Sequence, residues 1–300
     1  MTVAAYPTAR RRAAPATLRA VIPLAPALIL LALFFLIPMF ELARMSVYEY
    51  NHVSVYVPRL TTANYRAFFS DPYYATMVWT SLKVGFFTTF FTVLAGYPVA
   101  YYLTGIDGWE RTLLSAACLF PLFVTILVGT LGWYILLLPF GLTQKVLVAA
   151  GLLHGPLSAL NTFTALIVVM VYLHLPYVIL IMASSLQGVG RDKINAARVL
   201  GAPPVYILRR ILVPLTMPGI ASSAILVFAL SISSYLVPVL ITGQRLRVLP
   251  MAIFSFTTDI LNWPLASVLS IVLLVIVVAA TYAFTAITNR LTGRGRWEMI

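Results

Sequence analysis

The sequence predicts an all-α integral membrane protein with six transmembrane helices, and three observations carry that prediction. Hydrophobic residue types make up 61% of the 300 residues, whereas charged types make up only 9%. A soluble domain typically carries about 25% charged residues, so one water-exposed globule cannot hide this much apolar surface. The apolar runs are unbroken, unlike the alternating segments of transmembrane strands. Six of the uncharged stretches reach the roughly 20 residues that a membrane helix needs.

These six uncharged stretches set the order of the spans. They are Ala20–Phe40, Val84–Ile106, Thr112–Gln144, Val146–Gly190, Ile211–Gln244 and Ile260–Asn289. The first third of the fourth stretch contains Gly151, Gly155 and Pro156, which are typical of a loop. We therefore expect its helix to follow that loop. The expected helices cover about 21–45, 74–104, 112–137, 162–187, 214–240 and 264–289.

The basic residues gather on one side of this arrangement. An even number of spans puts both termini on the same side, together with most of the arginines. Positive charge collects on the cytoplasmic side during insertion, so both termini are expected in the cytoplasm. This accounts for most of the net charge of +12 without nucleic acid, because no basic soluble module with interleaved aromatic residues is present.

The expected organisation has four parts. Residues 1–20 form a basic cytoplasmic tail, and residues 21–73 form the first transmembrane helix with an external aromatic segment along the outer membrane interface. Residues 74–290 form the helical core with a cytoplasmic loop at 188–213, and residues 291–300 form a cytoplasmic C-terminal tail. Cys118 is the only cysteine, so no intrachain disulfide or cysteine metal cluster is expected.

The segment 188–213 is the longest cytoplasmic stretch between spans and is predicted to fold as two short helices. Asp192 is placed to cap the first helix, and Gly201 fits the left-handed position that often ends a helix. Pro203 and Pro204 suit the first turn of the second helix. Small residues make the turn narrow; these are Ala196, Ala197, Gly201 and Ala202. Composition alone leaves two interpretations open: a docking element for a partner or a passive connection. Pro214 marks the expected entry into the fifth helix.

The spacing in this segment resembles the "EAA" loop of permease subunits of ABC-type importers with the type I, MetI-like fold. That pattern is Glu-Ala-Ala, three residues, Gly, nine residues, then Ile-x-Leu-Pro. The matching positions here are Asn195, Ala196, Ala197, Gly201 and Ile211–Pro214. Two positions depart from the pattern: Asn195 replaces the glutamate and Val213 replaces the leucine. The resemblance implies an ATPase contact made by Asn195, Ala196, Ala197, Arg198, Leu200, Gly201, Ala202, Ile211 and Pro214.

The resemblance extends over about residues 60–290 and is strongest to the spermidine/putrescine branch. The segments that carry it read LTTANYRAFFSDPYYATMVWTSLKVGFFTT, GYPVAYYL, LSISSYLVPVLITG and NWPLASVLS. The same branch shape also occurs in permeases for opines, phosphonates, thiamine and ferric iron. A polyamine or a related small organic solute is therefore the expected substrate, with these other classes as alternatives.

The family implies an assembly in the bacterial inner membrane rather than an enzyme. Two permease chains, expected to differ, form the pathway, and two ATPase subunits use ATP and Mg²⁺ on the cytoplasmic side. A periplasmic or extracellular solute-binding protein delivers the substrate. This chain has no P-loop motif, since Gly-Lys occurs nowhere in it, and no catalytic residue, metal site or bound cofactor is expected. A carboxylate and aromatic faces suit polyamines, so Tyr235, Asp259 and Trp263 are the expected pathway residues.

Two other classes of protein were weighed from the residues. An ion- or proton-coupled secondary carrier usually places ionisable side chains within the membrane, and here His174 is the main candidate for that role. An integral membrane enzyme would need a clustered set of histidine, cysteine or carboxylate side chains, which the sequence lacks. An ATPase that co-purifies with the chain would separate the importer from both.

Overall fold

The computed structural model describes residues 24–139, 141–151 and 159–292. The expected N-terminal tail 1–20 lies outside these residues, and so does most of the expected C-terminal tail. The helices are α1 Ala25–Ser46, α2 Ala63–Ser70, α3 Pro72–Gly105, α4 Gly108–Phe123, α5 Ile126–Leu137, α6 Leu142–Ala149, α7 Phe163–Gln187, α8 Arg191–Val199, α9 Pro204–Leu215, α10 Met217–Ile232, α11 Leu236–Thr242, α12 Leu249–Thr258 and α13 Trp263–Thr292. The strands are β1 Tyr48–Asn51 and β2 Val55–Leu60.

The predicted six-span helical fold is confirmed, with two spans bent. Among the described residues, α1, α3, α7 and α13 are each long and apolar enough to cross a membrane alone. The pairs α4 with α5 and α9 with α10 each qualify as one broken span, bent by 100° and 69° respectively. The central helices α3, α7 and α10 pack on one another, and α1 packs at the periphery against α13.

Close approach of α3 and α7 depends on a small residue. An added Cβ at Gly96 would lie only 2.6 Å from Cγ1 of Val178 on α7. Small residues at such contacts let membrane helices pack backbone against backbone. Both helices also contain a proline, Pro98 and Pro176, and both remain continuous.

The expected continuous third helix, 112–137, is wrong in one respect. The chain leaves α-helical geometry at Phe120–Phe123, which includes Pro121 and forms a 3₁₀ turn. Val124 and Thr125 are then extended, and the Thr125 hydroxyl accepts a hydrogen bond of 3.3 Å from the Val128 amide to start α5. This cap restarts the helix in a new direction.

The expected fifth helix, 214–240, is also interrupted. It begins at Met217, after the bend at Thr216, and it ends at Ile232. The chain then forms the separate short helix α11, and Gly243 with φ of +53° ends that helix. The segment between α11 and α13 contains the short helix α12.

The aromatic segment before α3 folds as a hairpin followed by α2. Strands β1 and β2 pair antiparallel, and Asn51 Oδ1 closes the turn by accepting from the amides of Val53 and Ser54 at 2.7 and 3.1 Å. The buried Asn64 amide donates to the carbonyls of Ser46 and Tyr48, which ties α2 to the start of the hairpin. We call this end of the bundle the hairpin end.

At the opposite end, α3 and α7 finish and α8 and α9 follow. We call residues 191–215, which comprise α8, α9 and the turn between them, the elbow, and this end the elbow end. Each end has its own cluster of buried side chains. The elbow therefore packs against the bundle through side chains and is not joined to it by the backbone alone. The buried members at the elbow end are Ala100, Val178, Met182, Leu186, Val189, Ile207, Leu212 and Val227.

Candidate functional site

The turn of the elbow is closed by a Schellman motif. Gly201 has φ of +79°, and its amide donates to the Arg198 carbonyl at 2.9 Å, while the Ala202 amide donates to the Ala197 carbonyl at 3.0 Å. These are the two bonds that define this helix ending. Pro203 is then extended, and Pro204 occupies the first turn of α9. The two predicted short helices and the left-handed glycine are confirmed.

The start of α8 differs from the prediction that Asp192 caps it. The cap position is Gly190, with φ of +78° and no side-chain cap, and Asp192 lies in the first turn. A carboxylate in the first turn still interacts favourably with the helix dipole. Asp192 therefore stabilises α8 through its charge rather than as a cap.

The tip of the elbow is apolar and exposed. The side chains of Val199 and Leu200 are 88% and 86% exposed, and Val205 and Tyr206 are more than half exposed. Val199 and Leu200 lie at the end of α8, which is not among the candidate membrane spans. Adjacent exposed apolar side chains outside the spans indicate a docking site for another protein.

The base of the elbow is anchored in the bundle. Ile207 and Leu212 are buried; Ile207 precedes the π-helical turn Leu208–Leu212 and Leu212 ends it. The Thr216 hydroxyl donates to the Leu212 carbonyl at 2.8 Å and shares a hydrogen bond of 3.0 Å with the Tyr97 hydroxyl on α3. A force applied to the tip would therefore reach the membrane helices through packed side chains.

The nine residues expected at the ATPase contact occupy two positions. Ala197, Ala202 and Ile211 pack against the buried cluster at the base. The others are exposed; these are Asn195, Ala196, Arg198, Leu200, Gly201 and Pro214. Pro214 lies in the last turn of α9 before the bend, not at the start of the fifth span.

A cavity of about 380 Å³ opens at the hairpin end between α3, α11 and α12. Two of the three expected pathway residues, Tyr235 and Asp259, line it. Trp263 does not; its indole N–H donates to the Thr257 carbonyl at 3.1 Å, near the end of α12. The Trp263 side chain thus holds the helix that carries one wall of the cavity.

Aromatic rings form two walls of this cavity. The Tyr235 ring stacks on Phe254, with centroids 4.3 Å apart and planes 24° from parallel. On another wall the Arg247 guanidinium donates a hydrogen bond to the Tyr73 hydroxyl and lies 5.8 Å from the centre of that ring. The cavity therefore combines one carboxylate, one guanidinium and several aromatic faces.

Comparison with known proteins gives the family. A family model described as "Binding-protein-dependent transport system inner membrane component" matches residues 86–293. The chain belongs to this family of ABC importer permeases. The spermidine/putrescine transport system permease protein PotB of Haemophilus influenzae is 31% identical over 263 residues, which cover 87% of this chain and 92% of that relative.

Solved structures agree on the MetI-like fold. A chain of a bacterial alginate ABC transporter, solved with its periplasmic protein, superposes with a TM-score of 0.77 at 16% identity and covers 92% of this permease and 95% of that chain. A chain of the MetNI methionine ABC transporter superposes with a TM-score of 0.58 at 17% identity, covering 74% and 99%. The permease is thus a membrane-embedded transport component.

Family membership favours the importer over the ion-coupled carrier, for which His174 was the main candidate residue. In the permease this residue is buried, and one ring nitrogen lies 2.7 Å from the Met170 carbonyl one turn earlier in α7. The imidazole therefore hydrogen-bonds within its own helix. This geometry fits a structural histidine in an importer permease.

The cavity residues of the permease that reasoning from sequence missed include Tyr73, Arg247 and Phe254. Tyr73 was noted as part of the aromatic segment but was placed at the membrane interface. Nothing in the sequence links it with Arg247, since the two residues lie in distant segments. The only available signal was that Arg247 is one of the few charged residues on the hairpin side.

Proposed function

We propose that this permease forms half of the pathway of a polyamine importer. It would work with a second permease chain, two ATPase subunits and a solute-binding protein. The relatives named for spermidine and putrescine transport support the substrate class. The exposed apolar tip of the elbow is the observation that carries the role in an assembly.

The elbow is the proposed site of ATPase contact. Its tip offers Val199 and Leu200 to a hydrophobic cleft, and its base is fixed to α3 and α7. ATP and Mg²⁺ would bind to the ATPase subunits, and closure of the ATPase dimer would draw two elbows together. Such a partner shifts the population of bundle conformers only as far as it prefers one of them.

The sidedness of the chain follows from this proposal. The elbow end faces the cytoplasm, together with both termini, and the hairpin end faces the solute-binding protein. The arginines at the elbow end support this orientation through the positive-inside rule. The cavity beside α12 then opens toward the side from which the substrate arrives.

The cavity supplies the groups that a polyamine requires. The Asp259 carboxylate would pair with one ammonium group, and the stacked Tyr235 and Phe254 would cover part of the methylene chain. Aromatic faces also attract ammonium groups through cation–π interaction. A polyamine has more positive charges than this single carboxylate can pair, so the second permease chain would supply the rest.

A second candidate substrate class is favoured by Arg247. A guanidinium in the same cavity suits a solute that also carries a carboxylate, such as an opine. In a polyamine importer this arginine would instead be held against Tyr73, away from the substrate. Each class predicts a different effect of removing the Arg247 charge.

The test is uptake by the assembled transporter in proteoliposomes, with labelled putrescine in one set and a labelled opine in another. Asp259→Asn should raise the putrescine concentration for half-maximal uptake by about tenfold to a hundredfold, the range for losing a charged hydrogen-bond partner. Glu49→Gln is the matched control, because this exposed hairpin acid pairs with Arg59 outside the cavity.

The outcomes separate the two substrates. Under the polyamine proposal, Arg247→Gln leaves putrescine uptake at the wild-type level or above it. Loss of opine uptake on Arg247→Gln, together with unchanged putrescine uptake on Asp259→Asn, would establish the second candidate instead. Uptake of both solutes without the ATPase subunits would overturn the importer proposal.

A further inference from the structure

A second cavity, of about 640 Å³, lies at the elbow end where α3 and α7 finish and α8 begins. Two guanidinium groups line it: Arg111 from α4 and Arg198 from α8. Asn195, on the same face of α8, also lines it. Asn195 and Arg198 also belong to the residues expected at the ATPase contact, whereas Arg111 on α4 does not.

The two arginines are only weakly neutralised. Arg111 pairs with Asp107 at 3.9 Å between nitrogen and oxygen, and both side chains are well exposed. An exposed pair at that distance contributes little. Within the part of the chain that the structure describes, Arg198 makes no side-chain hydrogen bond or ion pair. The Asn195 side chain is an uncharged amide, so it neutralises neither guanidinium group.

An apolar groove continues from this cationic cavity toward the middle of the bundle. An adjoining cavity of about 60 Å³ shares Arg111 and Gln187 with it. Ser115 and Leu119 follow Arg111 on successive turns of α4, over about 12 Å at the helical rise per residue. Facing them on α7 is Leu180, which is 46% exposed.

We propose that this groove binds one anionic phospholipid from the leaflet at the elbow end. The phosphate diester would accept hydrogen bonds from Arg111 and Arg198, and one acyl chain would lie between α4 and α7. Basic pockets between membrane helices on the cytoplasmic side are suited to anionic head groups. Tyr102, at the cavity wall, is exposed, and aromatic rings are favoured beside lipid head groups.

The apolar groove is what favours a lipid over a soluble phosphate. A free anion would use the guanidinium groups and leave the surface around Leu180 unused. A bound lipid would contact α4, α7 and α8 together. The position of α8 would then depend on the anionic lipid content of the membrane, independently of the substrate.

The experiment uses the assembled transporter in phosphatidylcholine nanodiscs, with and without phosphatidylglycerol. Native mass spectrometry counts the phosphatidylglycerol molecules retained on each transporter. The double variant R111Q/R198Q should retain about thirtyfold less, or about fivefold for each guanidinium lost. The control R209Q/R210Q removes two exposed arginines of α9 that do not line the cavity, and its retention should match the wild type.

A second pair of variants keeps every arginine. Asn195→Glu places a carboxylate beside the two guanidinium groups, so it should reduce phosphatidylglycerol retention, whereas Asn195→Gln should not. This arm also remains informative if the double arginine variant fails to assemble. Equal retention by Asn195→Glu and Asn195→Gln would overturn the proposed position of the phosphate.

The last arm distinguishes the sources of phosphate. Inorganic phosphate added in excess should not displace the retained lipid, because it cannot fill the apolar groove. Displacement of the lipid by inorganic phosphate would overturn the lipid proposal in favour of a soluble anion. Unchanged retention in R111Q/R198Q would overturn it in favour of non-specific lipid adhesion or of cover by a neighbouring protein chain.

Discussion

Substitutions of Gly201 test two properties of the elbow turn separately: its backbone conformation and the space around it. An added Cβ at this position would meet no atom of the chain within 4 Å, so alanine introduces no clash. Its cost is the left-handed backbone, with φ of +79°. That conformation costs an L-residue about 1–2 kcal/mol, which lowers the ratio of closed to open turns by about fivefold to thirtyfold.

The assay is substrate uptake per ATP hydrolysed by the assembled transporter in proteoliposomes. Gly201→Ala should lower this ratio, and Gly201→Asn should lower it less, because asparagine tolerates the left-handed region. Gly201→Leu adds bulk to the same strain. Since the space is empty within this chain, any loss in the leucine variant beyond the alanine variant arises from a partner that fits closely around the turn.

Two results would refute this reasoning. Wild-type coupling in Gly201→Ala would mean that the left-handed turn is not required for function. Equal coupling in the alanine and leucine variants would mean that no partner surface closes around this residue. Membrane abundance should be the same for all three variants, because Gly201 is exposed in the turn between α8 and α9.

Two further predictions concern the elbow tip and the bundle. Leu200→Asp should abolish co-purification of the ATPase. Its thermal stability should hardly change, because the side chain is exposed and substitutions at exposed positions change stability by about 0.5 kcal/mol or less. Val53→Asp on the hairpin is the control, and loss of the ATPase in that variant would indicate general misassembly. Gly96→Val should lower the free energy of unfolding by about 1–3 kcal/mol through overpacking against Val178, and a lower thermal unfolding temperature would show this. Gly105→Val should leave that temperature unchanged, because the space around Gly105 is open.

Local signals in the sequence were sufficient to locate α7. The Thr162 hydroxyl accepts from the Ala165 amide at 3.2 Å and caps the helix, and Gly188 follows its last residue. The predicted span of 162–187 therefore differs from the observed helix by one residue. The elbow was predictable for the same reason, because Gly201, Pro203 and Pro204 act on the backbone next to them.

The broken spans were not predictable, because proline has no fixed effect in a membrane helix. Pro98 and Pro176 lie inside continuous helices, whereas Pro121 precedes a break. Neighbouring helices can satisfy the carbonyl that a proline leaves free, and Pro176 is buried among them. Near the break, Phe123 is 86% exposed. The sequence does not show which proline has neighbours.

The cavity at the hairpin end required the tertiary structure for a different reason. Its walls come from α3, α11 and α12 and the loops beside them, so its residues are distant in sequence. Tyr235 and Asp259 were predictable by chemistry alone, as an aromatic ring and a carboxylate on the expected outer side. Trp263 has the same chemistry, but its indole bonds to the Thr257 carbonyl instead.

The hydrogen bond between Thr216 and Tyr97 has a mechanical consequence. Thr216 lies at the 69° bend between α9 and α10, and Pro98 directly follows Tyr97, where α3 lacks one backbone hydrogen bond. Both helices therefore bend most easily at the same depth, and the Thr216–Tyr97 hydrogen bond joins the two bending positions. Displacement of the elbow would be absorbed there as coordinated bending of α3 and α10.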